Sequence, residues 1–487
     1  MQTLLLALNW GTSAELGAMT RQAMALPLEF VYLSTELTRR NLDHTFVDCW
    51  ARDCALEDVA PAIVEADIVV LCSAPSYVFW RDGVINIQLV SQAIHSVKRI
   101  NPAVITILIG PHGTVVPEGF HGLPLDYLFR GEPDLLVPEL IARLTAGGGD
   151  VAQVPGVMTQ RDGRLDGAPR GVEVADLNEL APMALDRFDL SAYQHPRPYG
   201  AVSADRHSVL YEASRGCPYS CIYCFKVNFR DTFRAKSLDR IDAELRDLSD
   251  RGVGYVYLID EIFFKDPEWS AGVMRLLRNY DIRFGCQTRP VLLTAAMVDT
   301  IVEIGMAGLI QIGLEHTDTE VLKTMRKGDT NLAVLSASLH RLADAGIAID
   351  LFLVTGLPGD TREKILAMSE VFETFPMRSI NVISHGAMPL PGTRLWDIGN
   401  KGGHNLTSWD DVTRMRGMVG TQFSSPDEVD LAAFQLVGRL NAIEDRQVIQ
   451  SGAGRPIHYL KWAKHSLDYH FPRVMRAATA ARLRWSQ

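Results

Sequence analysis

The stretch Arg215-Gly-Cys-Pro-Tyr-Ser-Cys-Ile-Tyr-Cys-Phe225 places Cys217, Cys221 and Cys224 in one short loop. Steps of four and then three residues let a single loop bring three thiolates together, and soft thiolates select iron–sulfur or zinc over hard cations. A fourth ligand is missing nearby. A structural zinc site closes four ligands, whereas a reactive centre keeps one coordination position for substrate or cofactor, so the open-site reading leads. A zinc loop, or three cysteines in a core, is the plainer alternative. Tyr223 and Phe225, on either side of Cys224, would cover such a centre and offer a ring face to a purine.

At 487 residues the chain is too long for one ordinary core, and two or three domains are expected. Its 47% hydrophobic and 22% charged residues are those of a soluble globular protein. No apolar run reaches the roughly 18 to 20 residues of a membrane span, and the N-terminal Met1 to Asn9 lacks the basic start and cleavage site of a signal peptide. The remaining cysteines, Cys49, Cys54, Cys72 and Cys286, are scattered and bring the total to an odd seven, which is no disulfide framework. A cytoplasm that keeps thiols reduced is the expected compartment. A net charge of −10 argues against general nucleic-acid binding.

Up to about Gly148, apolar runs at Leu4 to Asn9, Ala66 to Ser73 and Val104 to Gly110 alternate with helical periodicity at Pro27 to Arg39 and Asn86 to Arg99. This order predicts a parallel sheet covered on both faces, with ligands at the carboxyl ends of its strands. The loops Ser73-Ala-Pro-Ser-Tyr77 and Gly110-Pro-His-Gly113 follow buried strands, and their small residues allow close approach to the backbone. Asp126 to Glu132 reads as a further strand, and Leu135 to Leu144 as a helix. Gly148 to about Asp205 lacks sustained periodicity, has turn clusters at Arg161-Asp-Gly163 and Pro196-Arg-Pro198, and reads as a connector.

From Ser208 the alternation returns through six strand–helix units, from the strand Val209 to Ser214 to the strand Ile380 to His385, which suits a partial barrel. Chemistry in such folds sits where the strands end. Asp260 and Glu261, Arg289, Glu315, and the Val354-Thr-Gly-Leu-Pro-Gly359 turn all stand there. Each also reads as a solvated turn, a helix cap or an ordinary tight turn when taken singly.

The cysteine loop resembles that of the radical S-adenosylmethionine (SAM) superfamily, and the order of motifs behind it adds to the resemblance. It implies that Cys217, Cys221 and Cys224 hold a [4Fe-4S] cluster whose fourth iron chelates SAM. It also implies a SAM site of Tyr223, Phe225, Asp260, Glu261, Arg289, Glu315, Thr355, Gly356 and Pro358, with Asp260 or Glu261 at the ammonium, Arg289 at the carboxylate, Glu315 near the ribose and the Gly356 turn at the adenine. Lys327-Gly328 and Pro391-Gly-Thr393 match further motifs of the family.

The first 148 residues, with Gly110-Pro-His and Arg130-Gly-Glu132, resemble the Rossmann-like cobalamin (B12)-binding domain of the cobalamin-dependent radical SAM subclass. This implies corrin contacts from Asn9, Ser73, Ala74, Tyr77, Gly110, Pro111, His112 and Glu132. The loop after the first strand, Asn9-Trp-Gly-Thr-Ser-Ala14, has no histidine to ligate cobalt, and His112 and His44 read as loop or surface histidines. Val174 to Asp186 and Tyr193 resemble the subclass linker.

The expected architecture is α/β: a cobalamin domain at 1–148, a linker at 149–205, a partial (β/α)6 radical SAM barrel at 206–400 and a mainly helical extension at 401–487. The extension carries His458, His465 and His470 on a basic tail. The expected activity is C-methylation of an unactivated carbon of a small molecule or peptide, through a 5′-deoxyadenosyl radical and methylcobalamin, with an external flavodoxin- or ferredoxin-type electron donor. Oxidative cyclisation or rearrangement would use the same cofactors. A non-catalytic cobalamin or iron–sulfur sensor would have no need of the SAM-facing positions.

Overall fold

The computed structural model describes residues 1–12, 26–75, 87–169, 171–193, 206–225 and 230–450, the side chain of residue 449 excepted. Tyr77, Pro196-Arg-Pro198 and the tail histidines lie outside these residues, as does the helix expected from Leu460 to Leu483. The first sheet is built from β1 (Thr3–Ala7), β2 (His44–Asp48), β3 (Ile68–Cys72), β4 (Ile105–Ile109), β5 (Tyr127–Phe129), β6 (Val157–Arg161) and β7 (Arg164–Gly167), in the order β2-β1-β3-β4-β5-β6-β7. The first five run parallel, and β6 and β7 close the edge as an antiparallel hairpin. The stretch read as a connector therefore includes two short strands of the first sheet. Their turn is Arg161-Asp-Gly163, but strands of four or five residues with polar faces leave no periodicity to detect.

Every residue of β1 and β3 is buried, because helices cover both faces. Leu5, Val70 and Ile107 pack against α1 (Leu28–Arg39), while Leu4, Leu6, Val69 and Leu71 belong to the core on the opposite side. Between β1 and β4 the chain also forms α2 (Ala60–Glu65) and α3 (Gln88–Ile100); α4 (Pro111–Val115) and α5 (Leu136–Thr145) follow. Strand order reverses between β1 and β3, and a crevice for ligands is expected at such a point. Asn9 and Ser73 follow these two strands.

The second sheet contains β8 (His207–Tyr211), β11 (Val253–Leu258), β12 (Arg283–Thr288), β13 (Ala307–Glu315), β14 (Ala348–Thr355) and β15 (Ile380–Gly386), hydrogen-bonded in chain order and all parallel. A two-stranded ribbon of β9 (Ser214–Arg215) and β10 (Arg234–Ala235) stands beside it. The crossovers are α6 (Leu238–Asp250), α7 (Pro267–Asn279), α8 (Ala295–Ile304), α9 (Thr319–Thr324), α10 (Leu332–Asp344) and α11 (Arg362–Phe372). Ser237, Asp266, Thr294, Asp318, Asn331 and Thr361 cap α6 to α11, each accepting a backbone N–H of the first turn.

The chain then forms α12 (Arg394–Lys401), α13 (Trp409–Arg414) and α14 (Pro426–Gln450). Arg362 bonds Gln435 at 2.9 Å, and Gln447 meets both Met377 N–H at 2.9 Å and Phe375 O at 2.8 Å. The long last helix is thereby laid along α11 and the edge strand β15. No helix among the described residues is long and apolar enough to cross a membrane.

Candidate active site

The cysteine loop is held at its neck. The β9/β10 ribbon pairs Arg215 with Arg234, and Cys217 N–H donates to Arg230 O at 3.1 Å. Gly216 has φ of +86°, and a Cβ there would fall 2.0 Å from Thr232 O, so only glycine fits the crossing. Beyond the neck, Cys217 and Cys221 are half-buried, Cys224 is exposed, and none of the three is in a disulfide. Among the described residues no three His, Cys, Asp or Glu side chains converge closely enough to hold a metal ion. The donor set nonetheless fits an iron–sulfur cluster: three soft thiols on one partly open loop, with the Arg289 guanidinium 3.9 Å from Cys221 Sγ.

Arg289 closes β12 and lies flat over Tyr219, its central carbon 3.8 Å from the ring centroid, with Asp329 2.5 Å away. This guanidinium belongs as much to the cysteine loop as to the strand end. Glu315 ends β13 with φ of +68°, a conformation that is uncommon outside glycine. Lys327 Nζ donates to its Oε1 at 2.8 Å, and the Tyr223 hydroxyl bonds the same carboxylate. Burial, and then the charge of Glu315, pushes the Tyr223 hydroxyl far above its ordinary range, so it stays a donor. Tyr223 is therefore anchored by its hydroxyl to Glu315.

Thr355 ends β14, and its hydroxyl lies 3.3 Å from His385 O. Gly356 has φ of +74°, and a Cβ there would meet Gly417 Cα at 2.4 Å. The sequence reading gave this glycine the task of admitting a base, but a crossing segment of the C-terminal region already requires it. That segment bonds the turn from Gly359 N–H to Gly420 O at 2.9 Å, and Pro358 packs against Gly420.

Asp260 and Glu261 are both engaged by groups of the cysteine-loop neck. Asp260 is fully buried, accepts Ala213 N–H at 3.0 Å and makes a very short contact with Ser214 Oγ. Burial pushes its carboxyl up to about 7, against the hydrogen bonds from Ser214 and Ala213, which lower it. Glu261 accepts Gly216 N–H at 2.8 Å and pairs with Arg230 at 2.6 Å. Both carboxylates brace the cysteine loop from behind.

Glu132 is buried among three arginines. It meets Arg215 at 3.3 Å, Arg230 at 2.9 Å and Arg234 at 2.9 Å, while Asp134 takes Arg215 bidentately at 2.8 and 3.0 Å. Burial would raise the Glu132 carboxyl, but the three guanidiniums outweigh it and hold the group well below the usual range. Glu212 completes the cluster, 2.8 Å from Arg215. At its edge, burial pushes the Glu29 carboxyl up to about 8. The sequence singled out Glu132 but not its partners, because a buried arginine looks like a surface one until its carboxylates are placed.

The first sheet's strand ends meet this region through aromatic rings. His112 is fully buried, not on the surface, with its Nδ1 3.3 Å from Ser73 Oγ and its ring 4.8 Å from that of Trp409. Trp409 in turn lies 6.1 Å from Phe225, the residue after Cys224. Gly110 has φ of +111°, and its Cβ would strike Ser73 Oγ at 2.5 Å, so contact between neighbouring strand ends demands this glycine. Ala74 is buried; Pro111 opens α4. Asn9 Oδ1 accepts Gly11 N–H at 3.1 Å and its amide donates to Cys54 O at 3.2 Å, shaping the loop after β1. His44 is buried too, 2.8 Å from Ser34 Oγ. The sequence gave no signal for Trp409.

A family model described as the radical SAM superfamily matches residues 211–372, which include the cysteine loop and the strand ends up to the Gly356 turn. An uncharacterized methyltransferase of Pyrococcus horikoshii is 25% identical over 419 residues, covering 82% of this chain and 85% of the relative. The hopanoid C-3 methylase of Methylococcus capsulatus is 26% identical over 376 residues, covering 75% and 68%. Among solved structures, the cobalamin-dependent SAM radical enzyme OxsB with aqua-cobalamin bound has a TM-score of 0.68 at 15% identity, covering 96% of this chain and 72% of that one. The radical SAM methyltransferase TsrM from Kitasatospora setae, with cobalamin and a [4Fe-4S] cluster bound, has a TM-score of 0.62 at 16% identity, covering 84% and 76%. At these identities the structures share the fold with this chain. With its cysteine loop and strand ends inside the matched stretch, the chain carries a radical SAM domain and is an enzyme, and such a domain implies a [4Fe-4S] cluster and SAM.

Proposed function

We propose that the chain is a cobalamin-dependent radical SAM methyltransferase acting on an unactivated carbon of a small molecule or peptide. The observation that carries this reading is the juxtaposition of the two halves. His112, after a strand of the first sheet, packs on Trp409, and Trp409 packs on Phe225 beside Cys224. A flat cofactor on the first sheet's strand ends would thus lie next to the cysteine loop. The names of the relatives and neighbours point the same way. When bound, the cluster and SAM supply one-electron cleavage of a carbon–sulfur bond, and cobalamin supplies a methyl group.

The chain's own residues bind and orient. Cys217, Cys221 and Cys224 would hold the cluster, and Arg289 places positive charge beside their thiolates. Glu315, steadied by Lys327 and Tyr223, presents a carboxylate to hydroxyl groups at the end of β13. Thr355 and the Gly356 to Gly359 turn offer backbone groups at the end of β14. Asn9, Ser73, Ala74 and Gly110 stand at the strand ends of the first sheet, where the reversal of strand order favours a cofactor. Electrons would come from a flavodoxin- or ferredoxin-type donor, in a reducing cytoplasm.

Anaerobic reconstitution with iron, sulfide and hydroxocobalamin tests the proposal. The expected result is one corrin per chain after gel filtration, with 5′-deoxyadenosine formed when SAM and a reductant are added. A chain that retains iron and binds SAM but never retains corrin overturns the cobalamin half.

A further inference from the structure

Behind the two strand ends assigned above to SAM lies a buried histidine–aspartate contact with no role so far. His316 directly follows Glu315, and Asp360 directly follows the Gly356 to Gly359 turn; neither side chain is exposed. Asp360 holds the turn together, accepting Gly356 N–H on Oδ2 and Thr361 N–H on Oδ1, both at 2.9 Å. His316 Nδ1 accepts Asp318 N–H at 2.9 Å, so in the neutral ring the proton sits on Nε2. That Nε2 lies 3.3 Å from Asp360 Oδ1 but is not aligned with it, and among the described residues no other hydrogen-bond partner reaches it.

A buried N–H without an aligned partner is costly to leave unmade, and here a small rotation would satisfy it. We propose that His316 and Asp360 form a positioning pair for SAM. The Nε2–H to Oδ1 bond closes as the ligand draws Glu315 and the Gly356 turn together, so the pair sets the spacing between the two halves of the site without touching the ligand. This rests on the assignment of SAM to these strand ends. The left-handed backbone of Glu315, φ +68°, makes such support necessary, because an unfavourable conformation persists only where its surroundings over-determine it.

The test is calorimetric SAM binding to the iron-reconstituted full chain. His316→Asn keeps an acceptor where Nδ1 stands but removes Nε2, and His316→Gln keeps a donor near Nε2. Loss of one buried hydrogen bond that forms only in the complex should weaken SAM about tenfold in His316→Asn, while His316→Gln stays within about threefold of the parent and iron content is unchanged in both. Equal weakening in both variants, or none in His316→Asn, overturns the proposal. Should His316→Asn not accumulate as folded protein, His316→Phe carries the test: it keeps a ring of similar size, removes Nε2–H and leaves both backbone bonds of Asp360 in place, and the same tenfold loss is expected. Glu315→Ala separates the two levels. If it leaves SAM affinity intact, the site assignment fails; if it weakens SAM while His316→Asn and His316→Phe do not, only the positioning role fails.

Discussion

Lys327 Nζ sits 2.8 Å from Glu315 Oε1 and 2.6 Å from Gly313 O, tying the end of β13 to the segment after α9. Both side chains are almost fully buried, and a buried carboxylate with a single cationic partner depends strongly on it. Glu315→Ala is therefore expected to weaken SAM roughly tenfold to a hundredfold, the cost of one charge-assisted hydrogen bond. Lys327→Met should weaken it also and lower stability. Calorimetry and thermal melting read both, and unchanged SAM affinity in Glu315→Ala would move the site.

Replacing Cys217, Cys221 and Cys224 together by alanine should abolish iron retention and the brown colour of the reconstituted protein. The ribbon and the buried ion cluster lie outside the loop, so the fold should survive. Iron analysis and circular dichroism are the measurements. Full iron retention would show that the cluster is held elsewhere.

Asp260 gives a pH prediction. Its carboxyl is raised from an ordinary value near 4 to about 7, so between these pH values the folded state holds a proton that the unfolded state has lost. Stability should therefore fall as pH rises from about 4 to about 7, by about 1.4 kcal/mol for each unit of displacement, and stay lower above that. Asp260→Asn imitates the protonated form and should reduce this slope, leaving the part of the same sign that Glu29, raised to about 8, supplies. Melting curves at pH 5 and pH 8 decide it: an unchanged slope in the variant means another group is responsible.

Glu132→Ala would leave three buried guanidiniums short of a carboxylate. Breaking such a buried network typically costs about 3–5 kcal/mol, so a marked fall in the denaturation midpoint is expected. Iron should also be lost faster to a chelator, since Arg215 and Arg230 bracket the cysteine loop. A midpoint within experimental error of the parent would mean that the arginines find other partners.

For cobalamin, His112→Ala should leave the electron paramagnetic resonance spectrum of the Co(II) form largely unchanged, because His112 is committed to Ser73 and Trp409. Nitrogen superhyperfine splitting that disappears in this variant would make His112 the ligand. A bulky residue at Gly110 is a poor probe, since it would collide with Ser73 before meeting any cofactor.

The strands were legible because most are buried on both faces and read as unbroken apolar runs, as in Leu4 to Ala7 and Ile68 to Cys72. The cysteine loop was legible because its chemistry is local. What stayed hidden is non-local. Glu132 was noticed, but its partner Arg230 lies 98 residues further on, and no spacing rule joins them. Asp260 and Glu261 follow β11 as the apolar run predicts, but their bonds to Ala213, Ser214 and Gly216 join them to a segment 45 to 47 residues earlier that no spacing rule reaches. Gly110 and Gly356 were read as openings for a ligand because a sequence does not reveal that another segment crosses there.

The shared carboxylates of Glu132 and Asp134 have a consequence for recombination. The N-terminal half supplies the counter-charges for arginines that frame the loop of the C-terminal half. A chimera joining the first 140 residues of a relative to the rest of this chain would bury unmatched cations unless the relative carried acids at those two positions. The seam suited to exchange therefore lies before residue 132, where both acids stay with the arginines they neutralise.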